Sequence, residues 1–215
     1  MTQIKICCIA SIDEARLAIR CGASALGFVS AMPSGPGVIS EEQIAEIIPL
    51  IPEGIATFLL TSKTDVAGIV KQYEKCRPSV FQLCDRVTPE DHRELKAKLP
   101  DVKLVQVIHV LGEASIDEAL EQSKTIDALL LDSGNPNLAT KSLGGTGRSH
   151  NWNISSEIVR QSSVPVYLAG GLTPENVADA VKTVQPYGVD VCSGVRTAGK
   201  LAWEKLERFV EQVSN

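Results

Sequence analysis

The sequence predicts an α/β protein of the (β/α)8 TIM barrel class, on two observations. Short apolar segments alternate with helical patterns about eight times along the chain, in units of about 25 residues. The apolar segments are continuous runs, as expected for parallel strands that helices cover on one side and a barrel interior fills on the other. Eight such units close into a barrel. An open doubly wound sheet is the alternative, although no GxGxxG motif follows the first strand.

The first strand, predicted over residues 3–10, carries two adjacent cysteines. Alternation along a strand places Lys5 and Cys7 on one face and Ile6 and Cys8 on the other. We therefore assign Cys7 to chemistry at the strand end and Cys8 to packing. Free cysteine is often simply buried, so a packing role for both residues stays open on this local pattern alone.

The remaining elements follow in order from apolar runs and capping signals. Strands are predicted over 24–30, 55–60, 79–84, 103–110, 127–132, 164–169 and 188–192. Helices are predicted to begin near residues 11, 40, 64, 88, 115, 155, 173 and 200, and Ser, Thr, Glu, Gln or Pro at several of these positions match helix-start chemistry. Each strand is thus followed by one helix.

The composition favours one domain spanning 1–215 with a large core, since 44% of the 215 residues are hydrophobic. A net charge of -5 without blocks of like charge argues against a nucleic-acid or anionic-membrane partner. The sequence carries no signal-peptide pattern and no run near the roughly 20 apolar residues that a membrane span needs. We expect a cytoplasmic protein that acts on a small molecule.

The cysteines are predicted to be reduced thiols, because a chain with this much core needs no disulfides. Without CxxC or HExxH motifs, we expect neither a metal nor another cofactor. The alternative is metal or redox chemistry by the four residues that end strands at one mouth of the barrel. These are Cys7, Cys84, His109 and Cys192.

The active site of such a barrel lies at the C-terminal ends of the strands, and loops after strands seven and eight often hold phosphate. Glycines there let backbone N–H groups approach an anion. Each single loop could equally be turn chemistry, but three together favour a phosphate site. The candidate phosphate-binding residues are Gly144, Gly145, Gly147, Gly170, Gly171, Ser193 and Gly194.

Cys7 and Asp132 end strands one and six, which face each other across a closed barrel of this size. A thiolate can abstract a proton next to an imine or carbonyl, and a carboxylic acid can protonate a ring oxygen, so the pair suits an isomerase. The pair requires a partly ionised thiol and a partly protonated acid, whose environments push the two pKa values in opposite directions. Lys5 and nearby helix N-termini could favour the thiolate.

Several segments together resemble the phosphoribosylanthranilate isomerase family. They are Lys5-Ile6-Cys7, residues 23–29, Phe81-Gln82-Leu83, residues 130–133, residues 144–147, residues 168–172 and residues 188–194. The resemblance implies a cofactor-free Amadori rearrangement, in tryptophan biosynthesis, of an N-linked phosphoribosyl amine to a 1-deoxyribulose 5-phosphate. It implies that Cys7 is the general base, that Asp132 is the general acid, and that the glycine loops with Ser193-Gly194 hold the phosphate. Family members occur as monomers or homodimers.

The chain departs from the family pattern around the aglycone. Cys8 replaces a glycine, Cys84 a histidine and Arg196 a glutamate, and Pro36 stands where the family has an arginine for the anthranilate carboxylate. In addition, His150-Asn151 replaces Phe-Asp.

Two explanations of the missing arginine stay open. Either Arg148 or Arg196 supplies the guanidinium from another loop, or the enzyme isomerises a phosphoribosyl amine with a different aglycone. A phosphosugar-binding barrel without catalysis is a third hypothesis, which the retained acid and base disfavour.

Overall fold

A closed parallel barrel forms the centre of the computed structural model, which describes residues 1–145, 147 and 149–214. Within these residues its strands are β1 (Gln3–Ile6), β2 (Ala25–Val29), β3 (Ala56–Thr61), β4 (Val80–Leu83), β5 (Lys103–His109), β6 (Ala128–Asp132), β7 (Val166–Leu168) and β8 (Gly188–Val191). Each strand pairs in parallel with the next, and β1 pairs with β8. The predicted barrel is confirmed, and the open sheet is excluded because β1 has a neighbour on both sides.

Helices surround the barrel. Among those that the structure describes, seven connect successive strands and the eighth follows the last barrel strand. They are α1 (Ile12–Arg20), α2 (Glu41–Ile47), α3 (Val66–Cys76), α4 (Pro89–Lys98), α5 (Ala114–Gln122), α6 (Trp152–Gln161), α7 (Val177–Val184) and α8 (Trp203–Ser214). Short 3-10 turns, Ile48–Leu50 and Ser193–Val195, follow α2 and β8. No helix in the described part of the chain has the length and apolarity needed to cross a membrane.

Three predicted helix starts are confirmed by their hydrogen bonds. The side chains of Ser11, Ser40 and Thr88 each accept a hydrogen bond from the backbone N–H three residues later. At Ser40 the bond is part of a full capping box. These bonds satisfy N–H groups that the first helical turn leaves unpaired, and so fix where each helix begins.

Other predicted boundaries are wrong by a few residues. Ser115 lies inside α5, where its hydroxyl accepts from the Leu111 N–H and donates to the His109 carbonyl. Helix α6 begins three residues earlier than predicted, because the Asn151 side chain caps it. Helix α8 begins later, because a small antiparallel hairpin of β9 (Arg196–Thr197) and β10 (Lys200–Leu201) occupies the residues before it.

The first strand is shorter than predicted, and this change repositions Cys8. Strand β1 ends at Ile6, and Cys8 adopts a left-handed backbone conformation with φ 63°. The strand alternation that placed Cys8 on the outer face therefore no longer applies. Cys8 lines the barrel mouth instead, so the predicted outer-face position is wrong, although the residue is still buried in one hydrophobic cluster with Cys7.

Two hydrophobic clusters lie on the two sides of the barrel wall. Ile6 belongs to the larger cluster, together with buried residues of the helices, whereas Cys7 belongs to the smaller one with Phe58 and Tyr167. Lys5 is fully buried with its Nζ 5.1 Å from the centroid of the Phe58 ring. The predicted alternation of Lys5 and Cys7 against Ile6 therefore holds, and it directs the thiol into the barrel.

Candidate active site

A cavity opens at the C-terminal ends of the strands and brings together Cys7 of the β1 end and Asp132 of the β6 end. Loops after β2, β6, β7 and β8 complete its wall. Its glycine-loop lining includes Gly144, Gly145, Gly147, Gly170, Gly171 and Ser193. One cavity therefore contains the predicted acid and base together with most of the predicted phosphate-binding residues.

Gly194 is the predicted phosphate residue that does not line this cavity. A Cβ added at Gly194 would lie 2.0 Å from the carbonyl oxygen of Leu172, which is backbone and cannot swing away. The glycine therefore lets the turn after β8 pack closely on the loop after β7. Its place in the structure is at the contact between these two cavity loops.

The Cys7 side chain is buried at the cavity floor, and 5% of it is exposed. Burial raises the pKa of its thiol to about 11, and the Lys5 ammonium opposes part of that rise. The expected effect of Lys5 on the thiolate is thus in the predicted direction, but desolvation outweighs it. The thiol is protonated at neutral pH in the free protein.

Asp132 ends β6 and accepts a hydrogen bond of 2.6 Å from the Ser133 N–H. Burial raises the pKa of its carboxyl, and the nearby Asp190 carboxylate adds to the rise, whereas Ser133 and His109 oppose it. The net direction favours the protonated acid. This is the direction that the predicted general acid needs.

Lys5 and Asp190 form a buried ion pair directly beneath the cavity. The Lys5 Nζ lies 2.8 Å from Asp190 Oδ1, with 0% and 8% of the two side chains exposed. Burial alone would lower the pKa of Lys5, but the Asp190 carboxylate, together with Cys7 and Cys84, outweighs burial and the pKa is raised. Asp190 also lines the cavity, and it was not among the predicted site residues. The sequence did contain an indication of it, because alternation along the predicted strand 188–192 places Asp190 on the same face as Cys192.

A family model described as N-(5'-phosphoribosyl)anthranilate (PRA) isomerase matches residues 4–212. This chain belongs to the phosphoribosylanthranilate isomerase family. The N-(5'-phosphoribosyl)anthranilate isomerase of Methanocella arvoryzae is 35% identical over 214 residues, covering 99% of this chain and 98% of that protein.

Solved phosphoribosylanthranilate isomerases share the fold. The structure from Thermotoga maritima has a TM-score of 0.85 and 26% identity, covering 100% of this chain and 99% of that one. The structure from Pyrococcus furiosus has a TM-score of 0.82 and 26% identity, with the same coverage. The resemblance inferred from the motifs is confirmed.

The two arginines proposed to replace the missing family arginine have different outcomes. Arg196 is turned toward the loop after β1, where its Nη1 lies 2.7 Å from Glu14 Oε1. Its Nη2 donates to the carbonyl oxygens of Cys8 at 2.6 Å and Cys7 at 3.3 Å. Because these groups occupy the guanidinium, the idea that Arg196 binds the aglycone is wrong. Arg148 lies outside the described residues.

Pro36, where the motif comparison expects the family arginine, lies in the wall of the cavity. Its loop is held across the mouth by a hydrogen bond of 2.7 Å from the Ser34 hydroxyl to the Lys141 carbonyl. Among the described residues that line the cavity, none is an arginine or a lysine. The described part of the cavity wall therefore offers no side-chain cation in place of the expected arginine.

Cys8 and Cys192 are joined by a disulfide with a Cα–Cα distance of 5.9 Å. The prediction of reduced thiols is wrong for this pair, and it stands for the thiols of Cys7, Cys21, Cys76 and Cys84. Barrel closure makes β1 and β8 neighbours, so residues just beyond their ends come together. The sequence signal was a cysteine at each of these ends, one of them in place of the family glycine.

Cys84 also lines the cavity, and burial raises the pKa of its thiol far above the ordinary value. The alternative of a metal site with Cys7, His109 and Cys192 has no support from the geometry. In the part of the chain that the structure describes, no group of three or more His, Cys, Asp or Glu residues could hold a metal ion. Cys192 is bonded to Cys8 instead.

Proposed function

We propose that this phosphoribosylanthranilate isomerase isomerises its substrate with Asp132 as general acid and Cys7 as general base, without a metal or other cofactor. The observation that carries the proposal is the single cavity that both side chains share with the glycine loops. The reaction is the Amadori rearrangement of N-(5'-phosphoribosyl)anthranilate in tryptophan biosynthesis.

Asp132 acts first. Burial raises the pKa of its carboxyl, so a larger fraction is protonated near neutral pH than for an exposed aspartate. The acid donates its proton to the ring oxygen of the ribose, the C1–O bond breaks, and the nitrogen lone pair forms the C1=N bond. The open-chain intermediate is an iminium cation, and Asp132 is left as a carboxylate.

Cys7 acts second. In the free protein its thiol pKa is about 11, too high for an efficient base at neutral pH. The iminium cation supplies an opposite charge inside a poorly solvated cavity, which lowers that pKa when the base is needed. Lys5 contributes in the same direction. Once the thiol has released its own proton to solvent, the thiolate removes the C2 proton. The C2–H electrons form a C1=C2 bond as the C1=N electrons return to nitrogen, and the resulting enol becomes the C2 ketone when its hydroxyl loses a proton and C1 gains one.

The phosphate is held by the backbone N–H groups of the loops after β6, β7 and β8. Gly144, Gly145, Gly147, Gly170, Gly171 and Ser193 line the cavity there, and Gly194 lets the last turn pack closely on the loop after β7. Backbone N–H groups suit an anion because they donate without needing a counter-charge. We further propose a single domain over 1–215 that acts in the cytoplasm as a monomer or homodimer, without a nucleic-acid or membrane partner.

The test is the loss of substrate fluorescence with freshly made N-(5'-phosphoribosyl)anthranilate. Cys7→Ala and Asp132→Asn are expected to lower kcat at least about a hundredfold, the usual contribution of an acid or base. Cys21→Ser and Asp101→Asn are the matched controls, since the former is a thiol outside the cavity and the latter an exposed carboxylate. Wild-type rates in Cys7→Ala or Asp132→Asn would refute the assigned roles.

The second candidate function is the same isomerisation of a phosphoribosyl amine with a different aglycone. One feature of the cavity wall favours it. Pro36 offers no charge to a carboxylate, and no other described lining residue supplies an arginine or lysine. A bidentate arginine to a carboxylate is among the stronger protein hydrogen-bond pairs, so its loss weakens recognition of anthranilate. The test compares kcat/KM for the anthranilate substrate with that for the phosphoribosyl amine of aniline, which lacks the carboxylate. Equal or higher kcat/KM for the aniline compound supports a different aglycone, and a clear preference for anthranilate refutes it.

A further inference from the structure

The Cys8–Cys192 disulfide lies between the two halves of the proposed site. Cys8 directly follows the proposed base, Cys7, and Cys192 directly precedes Ser193 of the proposed phosphate turn. Both bonded cysteines line the cavity. A change in this bond therefore acts on the chain next to both functional groups.

The surroundings confine Cys8 more closely than Cys192. A Cβ added at Gly37 would lie 2.5 Å from the Cys8 Cβ, so the loop after β2 rests directly on this residue. Cys8 is 6% exposed, whereas Cys192 is half-buried in the cavity wall. A reagent entering from the mouth therefore reaches the sulfur of Cys192 first.

The structure also offers the reduced form a distinct arrangement. The Cys8 Sγ lies 3.8 Å from the carbonyl oxygen of Pro36, an acceptor that a Cys8 thiol can use and a disulfide cannot. Two separate thiols also need more room than a bonded pair. Because Gly37 leaves no space beside Cys8, the two thiols separate after reduction by movement of the turn that contains Cys192 and Ser193.

We propose that Cys8–Cys192 is a reversible redox cross-link that sets the affinity of the site for the substrate phosphate, an inference that rests on the proposed phosphate role of the Ser193 turn. The oxidised cross-link ties this turn to the end of β1 and so reduces the freedom that binding must remove. Reduction releases the turn, which weakens phosphate binding while leaving Cys7 and Asp132 in place.

The chemistry is thiol–disulfide exchange with a dithiol. One thiolate of the dithiol attacks the Cys192 sulfur, the S–S bond breaks, and Cys8 leaves as a thiolate that takes up a proton. The second thiol of the reagent then displaces Cys192, so the protein gains two thiols as the dithiol becomes a disulfide. A disulfide compound reverses both steps. Bound phosphate covers the route to Cys192 and is expected to slow the reduction.

The experiment measures KM and kcat of the whole protein under argon, after full reduction with dithiothreitol and after reoxidation with oxidised glutathione. Intact mass and alkylation report the state of the cysteines. We expect reduction to raise KM about fivefold to tenfold, as the loss of preorganisation for one turn would do, with kcat changed less than about twofold. Millimolar inorganic phosphate should slow the reduction of the disulfide.

Variants separate the cross-link from other effects of reductant. Cys8→Gly with Cys192→Ser is expected to have the KM of the reduced wild type and no response to dithiothreitol. Glycine suits the left-handed position of Cys8, so this variant avoids backbone strain. Cys21→Ser, a free thiol outside the cavity, is expected to keep the full redox response.

The outcomes distinguish this proposal from the proposed function. The same KM in both redox states, or cysteines that stay alkylatable after treatment with oxidised glutathione, overturns the cross-link alone. Absence of turnover in either state overturns the proposed function. Calorimetric titration with inorganic phosphate then decides the cross-link, because an equal phosphate affinity in both states would refute it.

Discussion

Removing the buried charge of Lys5 is expected to affect stability and catalysis together. The Lys5→Met substitution keeps an unbranched, slightly shorter side chain but leaves the Asp190 carboxylate, 8% exposed, without its partner 2.8 Å away. Breaking a buried ion pair in this way lowers the free energy of unfolding by about 3–5 kcal/mol. The pKa of Lys5 is raised by Asp190, so the pair's contribution is fully present at neutral pH and is lost only as the pH rises through that raised value.

Urea unfolding of the wild type, Lys5→Met and a Lys5→Met/Asp190→Asn double variant measures this contribution at pH 7. The double variant removes the orphaned charge and is expected to recover most of the lost stability. Lys5→Met also raises the pKa of Cys7 further, because Lys5 is the strongest of the groups that oppose the effect of burial, ahead of a backbone hydrogen bond from Cys8. The rise of kcat/KM with pH should therefore shift to higher pH in Lys5→Met. Unchanged unfolding and an unchanged pH profile would refute this account of the ion pair.

Two further predictions concern a turn and a histidine. Gly194→Ala should destabilise the protein by more than about 3 kcal/mol in urea unfolding, because the new Cβ would lie 2.0 Å from the Leu172 carbonyl oxygen. Gly112→Ala is its control, since nothing lies within 4 Å of the new Cβ, and equal losses in the two would contradict the prediction. Burial lowers the pKa of His150 to about 4, so stability is present above the unfolded value near 6.5 and is lost as the pH falls toward 4. His150→Gln should reduce that loss, and an unchanged pH dependence of unfolding would show that His150 does not cause it.

The fold was predictable because every β-α unit has the same local pattern, an apolar strand followed by a helix. Continuous apolar strands and capped helices can be recognised from neighbouring residues alone. Ser11, Ser40 and Thr88, for example, each begin a helix by accepting a hydrogen bond from the N–H three residues later. Cys7 and Asp132 were predictable for the same reason, since position at the end of a strand places them at one mouth.

Features that depend on contacts between distant residues were not predictable in this way. The role of Arg196 depends on Glu14, 182 residues away, and no local pattern in the sequence indicates that the two side chains pair. Cys8 departs from strand alternation because its backbone turns left-handed, which no apolar pattern encodes. The desolvation that raises the pKa of Cys7 likewise depends on how tightly the whole barrel packs around it.

The disulfide has a topological consequence for the whole ring. Every other pair of neighbouring strands in the described barrel is joined by its own loop and helix, whereas β1 and β8 meet at the seam between the first and last strands of the chain. The Cys8–Cys192 bond, with a sequence separation of 184, provides a covalent tie across that seam. In the oxidised protein β1 cannot separate from β8 without breaking this covalent bond. The strand that carries Lys5 and leads into Cys7 is therefore held in the barrel on the side where no loop and helix connect it to its neighbour.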